Sequence, residues 1–123
     1  AGLQTLPMDV RGHVHPLIMV RLRQALSRLQ VCIVHSHHSR DLATLAPSLG
    51  LLRRRIPLVL SKRMGSAVRK TDPFHRLTYA RVDRVLAISS VIRQNVVETT
   101  PMDPGKVLLL FDAVDTDRFE PSR

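Results

Sequence analysis

Histidine, arginine and aspartate side chains crowd into the segment that follows an apolar run at residues 31–34. The group comprises His35, His37, His38, Arg40 and Asp41. The apolar run has the length of a buried parallel strand, and apolar residues at helical spacing resume at Leu42. In open α/β sheets, ligands bind beyond the carboxyl ends of the strands. We therefore predict that His37, His38 and Arg40 face a binding crevice.

Two of these histidines raise the question of a metal site. Alternation along an extended segment places His35 and His37 on one face, where they could supply two ligands. Further ligands are hard to name, because Cys32 is expected inside the buried strand and Asp41 at a helix start. We therefore expect no metal, and favour imidazoles that hydrogen-bond a sugar or phosphate group or that cap the sheet edge.

An Asp-x-Asp pattern at Asp115 and Asp117 is the other arrangement with metal-binding chemistry. In some nucleotide-sugar enzymes this spacing presents two carboxylates to a divalent ion. Here the pattern closely follows a predicted strand and precedes Arg118. That position favours a turn in which the aspartate side chains bond to their own backbone.

The strongest candidate for binding an anion is the loop at residues 61–70, which follows a predicted strand. Its cations are Lys62, Arg63, Arg69 and Lys70. Gly65 would let backbone N–H groups approach a ligand. Arg63 can grip a phosphate through two hydrogen bonds, whereas Lys62 would act as a point charge. The alternative is a mobile, solvated basic loop.

Strand and helix signals alternate along the chain. Strands are predicted at residues 3–8, 31–35, 57–60, 84–88 and 107–111. Helices are predicted to begin at Pro16, after a Ser39 cap, at Asp72-Pro73 and after Ser89. This alternation implies right-handed crossovers, so the predicted fold class is α/β, a Rossmann-like parallel sheet flanked by helices. The five glycines form neither a dinucleotide-binding nor a P-loop pattern.

The chain is strongly basic, with 19 Lys+Arg against 10 Asp+Glu and a net charge of +9. This balance favours an anionic partner, and a solvated basic surface is the alternative. Aromatic residues make up only 3% of the chain, too few for the stacking platforms of single-strand binders. Nucleic acid is therefore the weakest candidate partner. A single cysteine and the lack of a signal peptide predict a cytoplasmic protein, with peripheral contact at the inner membrane face as an option.

Four stretches, taken in their order and spacing, resemble the N-terminal domain of family 4 glycosyltransferases of the GT-B fold. They are IVHSH at residues 33–37, VLAISSVIR at 85–93, PGKV at 104–107 and AVDTDRFEP at 113–121. The resemblance implies two Rossmann-like domains facing a cleft, with the acceptor bound mainly by the first and the nucleotide-sugar by the second. It also implies transfer with retention of configuration, usually without a metal, to lipid, lipopolysaccharide or polysaccharide acceptors.

On that resemblance, residues 1–111 are expected to be the acceptor domain without its first strand, and residues 112–123 an interdomain linker. The donor domain is expected to be absent, so the isolated chain should be inactive. The acceptor is expected against His37, His38, Arg40, Lys62, Arg63 and Gly65. Ser89 and Asp112 are expected nearer the cleft.

The sequence also departs from the family pattern. Ser61-Lys62-Arg63 stands where the family often has a histidine, and Asp112-Ala113 replaces the usual Asn-Gly. The only glutamates, Glu98 and Glu120, are too far apart to form the family's E-x₇-E signature. The catalytic residues are therefore left unassigned. The alternative function is a stand-alone Rossmann-like module that binds an anionic metabolite or a membrane surface.

Overall fold

The fold is described by a computed structural model for residues 5–8 and 16–114. Four helices alternate with four strands in this part of the chain. In chain order they are α1 (Pro16–Arg28), β1 (Val34–Ser36), α2 (Leu42–Gly50), β2 (Leu58–Lys62), α3 (Pro73–Ala80), β3 (Arg84–Ala87), α4 (Ser90–Thr99) and β4 (Val107–Leu109). Short 3₁₀ turns at Ser39–Asp41 and Pro104–Lys106 precede α2 and β4. The predicted α/β class is confirmed.

The four strands form one parallel sheet in the order β1-β2-β3-β4, which is also their order in the chain. Right-handed crossovers between successive neighbours place every connecting helix on the same face of the sheet. The composition of the core agrees with helices on one face, because alternate strand residues pack against residues of all four helices. The strand residues are Leu58, Leu60, Val85, Ala87 and Val107, and the helical residues include Leu26, Leu42, Leu49, Tyr79 and Val96.

Local signals for helix starts are confirmed at three places. α1 begins at Pro16, whose missing N–H costs nothing in the first turn. The Asp72 side chain accepts a hydrogen bond from the His75 amide at the start of α3. Ser89 does the same for the Ile92 amide at the start of α4. The predicted Ser39 cap is wrong, because Ser39 lies inside the 3₁₀ turn. The residue at the cap position is His38, and its side chain makes no capping hydrogen bond.

The first predicted strand is wrong for the residues that can be checked, because residues 5–8 have no regular structure. The prediction of a buried Cys32 is also wrong. The chain turns at Gln30, which has a positive φ of 48°, and strand pairing begins only at Val34. Cys32 therefore lies ahead of the sheet and is exposed, with its Sγ 3.6 Å from the Gln30 carbonyl oxygen.

Asp83 joins neighbouring strands at the amino end of the sheet. Its carboxylate accepts a hydrogen bond from the Leu58 amide at 2.9 Å and pairs with Arg55 and Arg81. Burial by itself would raise the pKa of Asp83, but the Leu58 amide and the two guanidinium groups outweigh it and leave the pKa below its ordinary value. The carboxylate is thus stabilised in its charged form.

Candidate functional site

The polar residues singled out from the sequence lie along the carboxyl edge of the sheet. His37, His38 and Arg40 follow β1, Lys62 ends β2 ahead of Arg63 and Gly65, Ser89 follows β3, and Asp112 lies beyond β4. Because all four strands are parallel and adjacent, their carboxyl ends meet at this one edge. The structure therefore gathers these residues from four loops into a single row.

The loop after β1 is shaped by the buried Ser36. Its hydroxyl donates to the His38 carbonyl oxygen at 2.9 Å and approaches the Asp41 carboxylate at 3.4 Å. These bonds hold the turn that leaves His37 and His38 exposed. The loop can thus offer imidazole groups to a ligand without a change in its backbone.

His35 points to the sheet face opposite the helices. Its Nε2 lies 2.8 Å from the Ser61 hydroxyl, and its ring centroid lies 4.4 Å from that of His37. The alternation argument correctly placed the two imidazoles together, whereas the Ser61 contact depends on strand pairing and was missed. The described residues contain no group of three or more His, Cys, Asp or Glu side chains that could hold a metal. Asp115 and Asp117 lie outside those residues.

The loop after β2 is fastened to α4 by Asn95. The Asn95 side chain accepts a hydrogen bond from the Ser66 amide at 2.8 Å and donates to the Ser66 carbonyl oxygen at 3.1 Å. A Cβ on Gly65 would stand 3.2 Å from the Asn95 side chain, which gives this glycine a packing role. Further along, the Lys70 amide donates to the Thr99 carbonyl oxygen at 2.7 Å. The loop is therefore anchored at two points, and sequence analysis missed Asn95.

The two lysines of this loop have different surroundings from its arginines. Lys62 is half-buried, and burial together with the nearby charge of Lys70 lowers its pKa. The Lys70 ammonium group donates to the Ser39 hydroxyl at 3.3 Å. Arg63 is exposed and lies 3.8 Å from the Asp112 carboxylate, an ion pair between the loops after β2 and β4. Within this loop, Lys70 therefore lies beside the loop after β1, whereas Arg63 lies beside the loop after β4.

Ser89 has a structural task in addition to any role in a cleft. Its hydroxyl oxygen accepts the Ile92 amide at 3.2 Å, which satisfies one of the free N–H groups at the start of α4. The hydroxyl proton remains available as a donor. Ser89 can therefore donate one hydrogen bond to a ligand while it caps the helix.

These features define a class of protein: a Rossmann-like α/β domain with a cationic, histidine-rich row at the carboxyl edge of its parallel sheet. The family model described as Glycosyltransferase Family 4 matches residues 2–118. The chain therefore belongs to glycosyltransferase family 4, and its sheet has the arrangement of one half of a GT-B fold. No curated protein matches the chain. Within the described residues, no helix is both long and apolar enough to span a bilayer.

Proposed function

We propose that this domain binds the acceptor in a retaining glycosyltransferase that moves a sugar from a nucleotide-sugar to a lipid, lipopolysaccharide or polysaccharide. One observation carries the proposal: a family 4 domain presents imidazole, guanidinium and ammonium groups in a row at the carboxyl edge of its sheet. These groups suit an acceptor that carries hydroxyl groups and negative charge.

In this proposal the acceptor lies against His37, His38 and Arg40 on one side and the loop containing Lys62, Arg63 and Gly65 on the other. Ser89 and Asp112 lie nearer to the donor half of the enzyme. Positioning of the acceptor and neutralisation of charge supply the domain's share of catalysis. No metal is required of these residues, and the donor's leaving phosphate is held by the other half.

The test uses the complete gene product, because the proposal assigns the donor to a second domain. Incorporation of labelled sugar is measured with a panel of nucleotide-sugars and acceptors. The double variant with His37→Ala and His38→Ala should raise the acceptor KM roughly tenfold or more, since two polar contacts are lost. The control is Gln94→Ala on the exposed side of α4. No transfer from any donor, or an unchanged KM in the double variant, would overturn the proposal.

The alternative, a module that binds an anionic surface, has its own support in α1. The outer side of this helix carries Arg21 and Arg28 together with the exposed apolar residues Leu17 and Val20, and no acidic residue occurs within the helix. A half-open groove of about 350 Å³ between α1 and residues 6–8 is lined by apolar side chains together with Arg21, Gln24 and Arg28. Cations beside apolar surface are the combination that an anionic lipid headgroup and its first methylene groups require.

Vesicle sedimentation separates this alternative from acceptor binding alone. Replacing both Arg21 and Arg28 by Gln should weaken binding to vesicles of phosphatidylglycerol about 30-fold, because each of the two cations near the surface contributes about 1 kcal/mol. Binding to phosphatidylcholine vesicles should be absent in both proteins. Equal binding to the two lipids, or no effect of the substitutions, would contradict the proposed binding to an anionic membrane surface.

A further inference from the structure

Three elements bring polar groups together between β1 and β2 at the carboxyl edge. Ser39 lies in the 3₁₀ turn after β1, Lys62 is the last residue of β2, and Lys70 comes shortly before α3. The Lys70 ammonium group donates to the Ser39 hydroxyl at 3.3 Å, and the Lys70 amide is held by the Thr99 carbonyl oxygen at 2.7 Å. The backbone of Lys70 is therefore anchored to α4, and its ammonium group lies against Ser39.

The two ammonium groups have no acidic partner in the described part of the chain. None of the ion pairs found there involves Lys62 or Lys70. The pair is partly removed from water, and each charge disfavours the other, which agrees with the lowered pKa of Lys62. A dianion bound between the lysines would remove this repulsion and supply the missing counter-charge.

Tyr79 provides a second observation, close to the Ser39 hydroxyl. Its side chain is only 2% exposed, and its hydroxyl has no hydrogen-bond partner in the described structure. Burial raises the pKa of this phenol, and the nearby Ser39 hydroxyl opposes the shift without reaching hydrogen-bond geometry. The Tyr79 hydroxyl is thus a protonated donor, left unsatisfied next to Ser39.

We propose that Lys62, Lys70 and Ser39 bind a phosphate monoester carried by the acceptor. The carrier rests on the proposed function, whereas the phosphate subsite rests on these side chains alone. On binding, Lys70 transfers its hydrogen bond from Ser39 to a phosphate oxygen, and Lys62 contacts the same group. Ser39 then accepts from the Tyr79 hydroxyl and donates to the phosphate. Tyr79 is a positioning residue that acts through Ser39.

The exposed arginines of the loop are less suited to this subsite. Arg63 already faces Asp112 at 3.8 Å, and its side chain is 64% exposed. A phosphate bound there would compete with a carboxylate and with water. The partly dehydrated lysines offer stronger electrostatic attraction for the same ligand charge.

Calorimetry on the complete gene product tests the subsite with mannose 6-phosphate, mannose and inorganic phosphate as probes. Lys62→Met and Lys70→Met keep most of the aliphatic stem and remove the charge. Each should weaken mannose 6-phosphate binding roughly tenfold or more, because one charge-assisted hydrogen bond is lost. The matched control is Lys106→Met, a lysine ahead of β4 at the opposite edge of the sheet. The control should bind like the wild type.

Tyr79→Phe separates positioning from folding. It should weaken mannose 6-phosphate binding several-fold while leaving the thermal midpoint unchanged or raising it, since an unsatisfied buried hydroxyl is removed. Ser39→Ala should weaken binding to a similar degree, and adding Tyr79→Phe to it should have little further effect. Independent, additive losses would overturn the relay through Ser39.

Other outcomes distinguish the subsite from the proposed function. If both lysine variants bind mannose 6-phosphate as the wild type does, or if mannose binds equally tightly, the subsite is wrong even where sugar transfer is found. If inorganic phosphate binds as tightly as mannose 6-phosphate, the acceptor is not the carrier. Phosphate-dependent binding that the lysine variants abolish supports the subsite, even if no nucleotide-sugar is turned over.

Discussion

At the scale of single residues, Asp83 is the side chain whose loss should cost the most stability outside the core. It accepts the Leu58 amide and pairs with Arg55 and Arg81. Asp83→Asn should lower the free energy of unfolding at pH 7 by about 2 kcal/mol, because the Leu58 amide and the two arginines lose a charged acceptor. Urea denaturation checks this, with Glu98→Gln on exposed α4 surface as the control.

The acid sensitivity of the fold follows from the same carboxylate. The folded-state pKa of Asp83 lies below its value of 3.8 in the unfolded chain. The stabilisation is therefore fully present above about pH 4 and disappears as the pH falls through the folded-state pKa. Asp83→Asn should show a shallower loss of stability below pH 4 than the wild type. Parallel pH curves for the two proteins would contradict this account.

Ser89 offers a second test with one residue, because its hydroxyl caps α4. Ser89→Ala should lower the free energy of unfolding by about 1 kcal/mol, whereas Ser89→Gly should cost only a few tenths. Thermal unfolding of the wild type and the two variants measures their order of stability. Ala less damaging than Gly would mean that the hydroxyl does not act as the cap.

At the scale of elements, the loop after β2 depends on α4 for its shape. Asn95→Ala removes both bonds to Ser66, so amide protons of residues 63–69 should exchange with solvent roughly 10-fold faster. Hydrogen exchange read by NMR measures this. Gln94→Ala, the adjacent exposed position, should leave the rates unchanged, and similar rates in the wild type and the Asn95 variant would contradict the anchor.

The same elements show what can be read from sequence. Caps at Asp72 and Ser89 were predictable because a cap and its amide lie three residues apart. The Asn95 anchor joins positions 29 residues apart, and the Asp83 bond to Leu58 spans 25. Such contacts depend on how elements that are distant in sequence pack against one another, and a local sequence pattern does not encode this packing. For the same reason the polar residues of the edge were predictable one loop at a time, whereas the pairing of Arg63 with Asp112 was not.

At the scale of the whole molecule, one face of the sheet packs against the helices and the other face is more exposed. Val85 is fully buried against the helices, whereas its neighbour Leu86 faces the other way and remains partly exposed, next to the exposed Leu108. In the 123-residue chain, Val85→Lys should therefore unfold the domain. Leu86→Lys should cost at least about 2 kcal/mol less, because its ammonium group can stay in water. Equal destabilisation in urea would contradict the one-sided core.

The order of strands in the sheet has a consequence for synthesis on the ribosome. Among the four described strands, each strand after the first pairs with the one that left the ribosome just before it, and none inserts between two earlier strands. A nascent chain can thus add one strand and one helix at a time to a sheet that already exists. Folding from the amino terminus and elongation of the chain proceed in the same direction, so no part of this sheet has to wait for a distant carboxyl-terminal segment to arrive.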